Sequence, residues 1–186
     1  MNQYYYTIAA LPALRLGDKV PIREDVFIQL AADTVRPDHY RVLCKSRWGS
    51  LEPTGFPFAD RILSWEKELR LELAKARLAT VKFSSPQPLP ESDGRDLLLE
   101  KVKTALALDS PLAVESYLNN LRWSFVEEVS AVHYFNLEAL IAYYLKLQLA
   151  LRQEKFQKIT GQEIFEKIYE EVKENLHQHC MWKNMQ

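Results

Sequence analysis

Histidines, cysteines and clustered carboxylates are the side chains here with chemistry to offer, and their spacing decides what each can do. His177-Gln178-His179-Cys180 is the run closest to a metal cluster. Imidazole and thiolate are good zinc ligands, but a site needs three or four converging groups. His177 and His179, two apart on a helix, would point to different sides, so a polar tail is the simpler reading. Ser64-Trp65-Glu66-Lys67 has the S-x-x-K spacing that sets a lysine beside a nucleophilic hydroxyl in serine acylases. The S-D-N and K-T-G elements of such a site are missing, which leaves Lys67 as a solvated lysine on a charged face. His39 and Cys44 could form a thiol–imidazole pair, but five residues apart on a short helix they would face each other poorly. Cys44 beside Leu43 reads as a small buried hydrophobe. Glu127-Glu128 and Glu170-Glu171-Glu174 are neighbours on helix surfaces, whereas acid–base catalysis needs carboxyls held apart across a cleft. No P-loop, dinucleotide-binding or G-x-S-x-G pattern occurs, so no cofactor or metal is expected.

Two runs remain. Arg122-Trp123 and His133-Tyr134-Phe135 make an aromatic-rich stretch between two expected helices. Trp, Tyr and Arg are enriched at the centres of protein interfaces, and aromatics also fill cores, which is the default reading. Glu138 lies in the most apolar helix of the chain. It either pairs with Arg122 or Arg152 or lines a narrow wet stripe, and we favour the stripe. An enzyme would have to gather His133, Glu138 and Arg122 in one pocket.

The elements that must position these residues are helices. Up to Phe58 the chain is punctuated by Pro12, Pro21, Pro37, Pro53 and Pro57, which leave room only for short helices over 23–33 and 38–46. Tyr4 to Leu11 is ambiguous between strand and helix. Trp48 to Phe58 reads as a loop with aromatic anchors. Residues 60–80 form a helix with Ile62, Trp65, Leu69, Leu73 and Ala76 on one side and Glu66, Lys67, Arg70, Glu72 and Lys75 on the other. Pro86, Pro88 and Pro90 then mark an extended connector. Beyond it, helices are expected over 96–108, over 112–132 with or without a break near Trp123, and over 135–156, the last with so broad an apolar arc that it should be central to a bundle. Gln148 falls near its polar side. Thr160 and Glu163 form a capping box for a final helix on which Ile164, Ile168, Val172 and Leu176 repeat every four residues. The expected class is all-α: an N-terminal helical portion (1–83), a proline-rich loop or linker (84–96) and a C-terminal helical bundle (97–186). A single domain that includes 1–83 stays open.

Charge narrows the function. The 186 residues carry 24 basic and 25 acidic side chains, a net charge of -1, so no global field attracts polyphosphate. No nucleic-acid partner is expected, although a helical nucleic-acid-binding module with a contiguous Lys/Arg face remains an alternative. The two cysteines make no disulfide framework. The start lacks the basic and apolar regions of a signal peptide, and the apolar run 137–151 is broken by Glu138, Lys146 and Gln148. A cytoplasmic location without direct membrane insertion is therefore expected.

Several stretches resemble a known family. They are Tyr4-Tyr5-Tyr6 with Ala9-Ala10-Leu11-Pro12 and Leu14, then Leu121-Arg122-Trp123, then His133-Tyr134-Phe135-Asn136-Leu137-Glu138-Ala139-Leu140, Ala142-Tyr143 and Lys146-Leu147-Gln148-Leu149. Together they are similar to a poorly characterised bacterial family encoded beside V-type (rotary) ATPase subunits. The resemblance implies a helical, non-enzymatic accessory or stalk-associated subunit, with V-type ATPase subunits as partners and a place peripheral to the membrane through that complex. A more distant likeness to the central-stalk subunit is weakened by that subunit's larger size. The family brings no established catalytic residues. Arg122, Trp123, His133, Tyr134, Phe135 and Glu138 match its motif as weak interaction candidates, and packing alone would also account for them. A small helical enzyme with a His/carboxylate site is the competing class.

Overall fold

Proline and a few polar caps set where the helices begin. In the computed structural model, which describes residues 4–50, 52–80, 96–156, 165–166, 168–170 and 172–173, seven helices follow in order: α1 (Tyr5–Ala9), α2 (Glu24–Thr34), α3 (Pro37–Lys45), α4 (Pro57–Thr80), α5 (Asp96–Leu106), α6 (Pro111–Ser130) and α7 (Leu137–Lys155). Residues 165, 166, 168–170, 172 and 173 are also helical. No strand occurs among the described residues, so the chain is all-α. Helices α3, α4 and α6 each open on proline, whose missing N–H costs nothing in the first turn. Ser110 Oγ and Asn136 Oδ1 cap α6 and α7 by accepting from the amides of Ala113 and Ala139, both at 3.1 Å.

The structure settles one open point about the helices and corrects one boundary. Helix α6 runs through Trp123 without a break. Helix α4 begins three residues before Asp60, because that side chain fixes the loop ahead of it. The Asp60 carboxylate accepts from the amides of Thr54 (2.7 Å) and Gly55 (3.2 Å). Gly55 there adopts φ +78, a backbone conformation that side chains resist. The ambiguous N-terminal run resolves as the short helix α1. The proline-rich connector falls outside the described residues up to position 95, as do the capping box at Thr160 and Glu163 and the His177–Cys180 run.

Helix α7 is the centre of the molecule. Leu140, Ile141, Tyr144, Leu145 and Leu147 are fully buried. They meet Phe27 and Ala31 of α2, Leu43 of α3, Ala59 and Ile62 of α4, and Val126 and Val129 of α6. A second core joins α4 to the helices beyond the connector: Trp65, Leu69 and Leu73 pack with Leu98, Val102 and Ala105 of α5 and Leu118 of α6. Residues from both sides of the segment 84–96 therefore share one core.

The loop after α3 is fastened to α7 by Trp48. Its indole N–H donates to the Leu145 carbonyl at 2.8 Å. Its amide donates to Gln148 Oε1 at 3.2 Å, while Gln148 Nε2 donates to the Ser46 carbonyl at 3.2 Å. Gln148 thus clamps the loop instead of lining a polar face. Replacing Trp48 with phenylalanine keeps an aromatic anchor but removes the indole donor, and should cost about 1–2 kcal/mol in urea unfolding. No change in midpoint would show that the bond contributes nothing.

Beside this clamp, the Tyr144 hydroxyl donates to Glu24 Oε1 at 2.8 Å and accepts from Arg47 Nε at 3.0 Å, under the stacked ring of Phe27. Burial, helped by the Glu24 contact and opposed by Arg47, raises the Tyr144 pKa from 10.0 to about 12. Burial alone raises Tyr143 to about 12 as well. Its hydroxyl donates to the Pro12 carbonyl at 2.9 Å. Both phenols hold their protons longer folded than unfolded. The stability they contribute is fully present below pH 10 and should drain away between about pH 10 and 12. Urea midpoints measured up that range should fall while phenolate absorbance lags. A native protein whose phenols all ionise near pH 10 would contradict this.

Candidate functional site

The six residues singled out from the sequence do not form one site. Arg122 lies in a buried polar network, Trp123 in a small apolar cluster, Glu138 at the start of α7, and the other three at the α6–α7 turn.

Arg122 belongs to the network. Its side chain is 5% exposed and that of Glu66 2%. Arg122 Nε donates to Glu66 Oε2 at 2.8 Å and Nη2 to Oε1 at 3.1 Å, a two-pronged pair across α6 and α4. Arg70 Nε adds a bond to Glu66 Oε1 at 2.6 Å. Arg122 Nη1 donates to Asn119 Oδ1 at 3.4 Å, and Asn119 Nδ2 donates to Gln153 Oε1 of α7 at 3.1 Å. Three helices are tied through one set of polar groups. Among the described residues no buried side-chain nitrogen or oxygen lacks a partner. Glu66, expected on the charged outer side of α4, is at its inner face, and Glu72 is also buried and pairs with Lys75 at 3.0 Å.

Trp123 is nearly buried, with Leu149 and Ala150 of α7 and the loop residues Leu14, Leu16 and Trp48 around it. The Lys146 ammonium stands over its ring at 5.1 Å from the centroid. Glu138 is half-buried at the start of α7. Neither arginine considered for it turns that way: Arg122 pairs with Glu66 and Arg152 with Glu115 at 2.8 Å.

The remaining candidates gather at the α6–α7 turn, against α1. His133 Nδ1 lies 2.9 Å from Asn136 Nδ2, and its ring meets Phe58 edge-on at 5.2 Å. Phe135 packs on Tyr5 with centroids 4.7 Å apart, and its carbonyl accepts from the Tyr4 amide at 3.0 Å. Tyr4 is itself buried and shares a 2.7 Å hydrogen bond with His39 Nδ1. Cys44 is half-buried, not enclosed as expected. Tyr6 stands beside Tyr5 at 5.5 Å and is 87% exposed. In the turn, Val132 and Tyr134 are 76% and 69% exposed. Sequence alone does not mark Tyr5, Tyr6 and Val132 as members of this group. The tyrosine run was visible, but nothing local said that α1 would dock beside the turn.

Arg122 cannot join His133: from Arg122 to Ser130 the helix rises about 12 Å, at 1.5 Å per residue, before the turn begins. Among the described residues no group of three or more His, Cys, Asp or Glu is placed to hold a metal ion. No helix of the described residues is long and apolar enough to cross a membrane.

Residues 97–176 are similar to a family described as a protein of unknown function, DUF2764. The matched stretch runs from α5 through α6 and α7 to the helical residues near 172, and it contains all six candidates. The DUF2764 match thus covers Arg122 and the α6–α7 turn, while α1 to α4, which supply Tyr5, Tyr6 and Glu66, fall outside it. No curated protein matches the chain, and no solved structure does.

Proposed function

We propose that this chain is a non-enzymatic interaction subunit that docks through its aromatic end, with a stalk subunit of a V-type (rotary) ATPase as its partner. The docking rests on one observation: Tyr6, Val132 and Tyr134 are largely open to solvent at one end, beside a half-exposed Tyr5 that packs on Phe135. Tyrosine offers a large, stiff, amphipathic face and loses little conformational entropy on binding. Buried against partner helices, such a face contributes roughly 25 cal/mol for each Å² of apolar surface removed from water. No bond is made or broken. The choice of partner comes from the sequence resemblance, and it puts the chain at the cytoplasmic side of the membrane, held there by the complex.

Capture from native membranes tests the proposal. The tagged chain should retain identified stalk subunits, and their repeated absence would refute the partner. Changing Tyr6 and Tyr134 together to serine should weaken that retention by about 30-fold or more, the loss of at least one interface hot spot. Thermal unfolding should be nearly unchanged, because both rings are exposed. Equal retention by the variant would remove the aromatic end from the interface.

A further inference from the structure

His39 and His133 both stand at the aromatic end, and the neighbours of His133 admit only one protonation state of its ring. The chain of contacts starts at the helix cap. Asn136 Oδ1 accepts from the Ala139 amide at 3.1 Å, so the oxygen of that side chain is turned to α7. Its nitrogen is therefore the atom that faces the His133 ring, 2.9 Å from Nδ1. An amide nitrogen only donates, so Nδ1 must accept, and the ring is neutral with its proton on Nε2. A proton added at Nδ1 sets N–H against N–H. Turning the Asn136 amide over would repair that contact, but would aim Nδ2 at the Ala139 amide and cost α7 its cap. The two bonds coexist only with an uncharged ring. His39 meets no such conflict, because the Tyr4 hydroxyl can donate to its Nδ1 or accept from it.

The contact matters for what it spans. The His133 amide donates to the Ser130 carbonyl at 2.9 Å and closes the turn on α6. The His133 ring closes it on Asn136, at the start of α7. The exposed Val132 and Tyr134 lie on either side of His133 in the chain. Other charged or titratable groups leave the ring alone. From α4 it meets Phe58, and among the described residues it makes no ion pair. On α1 and α3, Tyr4 is bonded to His39 and Tyr5 packs on Phe135. Glu128 of α6 and Glu138 of α7 are the nearest carboxylates along the chain, five residues to either side. We propose that His133 is a proton-operated switch: its protonation breaks the Asn136 contact or the α7 cap, loosens the turn that carries Val132 and Tyr134, and weakens docking of the aromatic end in acid. Histidine is the side chain suited to such a change across about pH 5 to 8. The control of docking rests on the reading proposed above, whereas the switch itself needs no partner.

Amide hydrogen exchange at Ala139, corrected for the intrinsic effect of pH, reads the cap in the purified chain. In the wild type its protection should fall at least about fivefold between about pH 7.5 and about pH 5.5, the loss expected for a helix cap. His133→Asn keeps an acceptor at the place of Nδ1 and cannot take up a proton, so its protection should stay level. Asn136→Asp should reverse the sign. One carboxylate oxygen still caps α7, the other accepts from the protonated ring, and protection should rise in acid. Nitrogen NMR of the wild-type ring at neutral pH should find the proton on Nε2. Retention of stalk subunits should follow the exchange of each protein in the same direction. A proton on Nδ1, level protection in the wild type, or an equal fall in His133→Asn would overturn the switch. Exchange that responds to acid beside retention that does not would overturn its control of docking. Retention absent at every pH would instead tell against the docking reading.

Discussion

Replacing Arg122 with alanine should destabilise the protein by about 3–5 kcal/mol, one of the two largest effects expected of any single change in this chain. The reason is the partner left behind. Glu66 is buried, and Arg122 supplies two of its three hydrogen bonds. Arg70 remains at 2.6 Å, but its side chain is 45% exposed and shares its charge with water. The cost is therefore that of a poorly compensated buried carboxylate, not the modest net value of the ion pair. A control separates the two. Changing Arg122 and Glu66 together to methionine removes both charges and keeps comparable volume, and should return stability to within about 1–2 kcal/mol of the wild type. Urea unfolding of the three proteins measures this. A double variant as unstable as the single one would show that the ion pair itself holds α4 to α6.

Trp65→Ala should cost a similar amount, about 3–5 kcal/mol, by a different route. The Trp65 ring stacks on Phe125 with centroids 4.2 Å apart and planes within 9°. It also lies in the core shared by α4, α5 and α6. Truncation loses the transfer of a large apolar surface, opens a cavity and breaks a stacked pair worth about 0.5–1.5 kcal/mol of its own. Trp65 and Glu66 are consecutive, and their partners Phe125 and Arg122 lie one turn apart on α6. The two losses should therefore combine less than additively, because the first already loosens the seam that the second would break. The expected drop in Tm for Trp65→Ala is about 10 °C for a domain of this size. A drop below a few degrees would mean that α5 relaxes into the space.

Much of the architecture was legible before any coordinates. Leucines and isoleucines returning every three to four residues mark α7 as central, and Ser110-Pro111 marks the start of α6. These signals are local: a period and a cap involve residues within a turn or two of each other. The readings that failed depend on distant partners. A single buried stripe on α4 would put Glu66 outside. In fact α4 packs against α5, α6 and α7, so its buried arc is wider than one stripe and takes in a charged position. Nothing near Glu66 announces an arginine 56 positions away. The clamp made by Gln148 is illegible for the same reason, since its partner is a loop 102 residues earlier. The candidate surface was half legible. His133, Tyr134 and Phe135 stood out as a motif, while Tyr5 and Tyr6 sit on a five-residue helix too short to show a period.

The central claim is that this chain acts by presenting its aromatic end to a stalk. Titration calorimetry of the purified chain against a purified V-type ATPase stalk tests it most directly. The account predicts saturable binding with a negative heat-capacity change, weakened about 30-fold or more when Tyr6 and Tyr134 become serine. Absence of binding, or equal affinity in that variant, would contradict it.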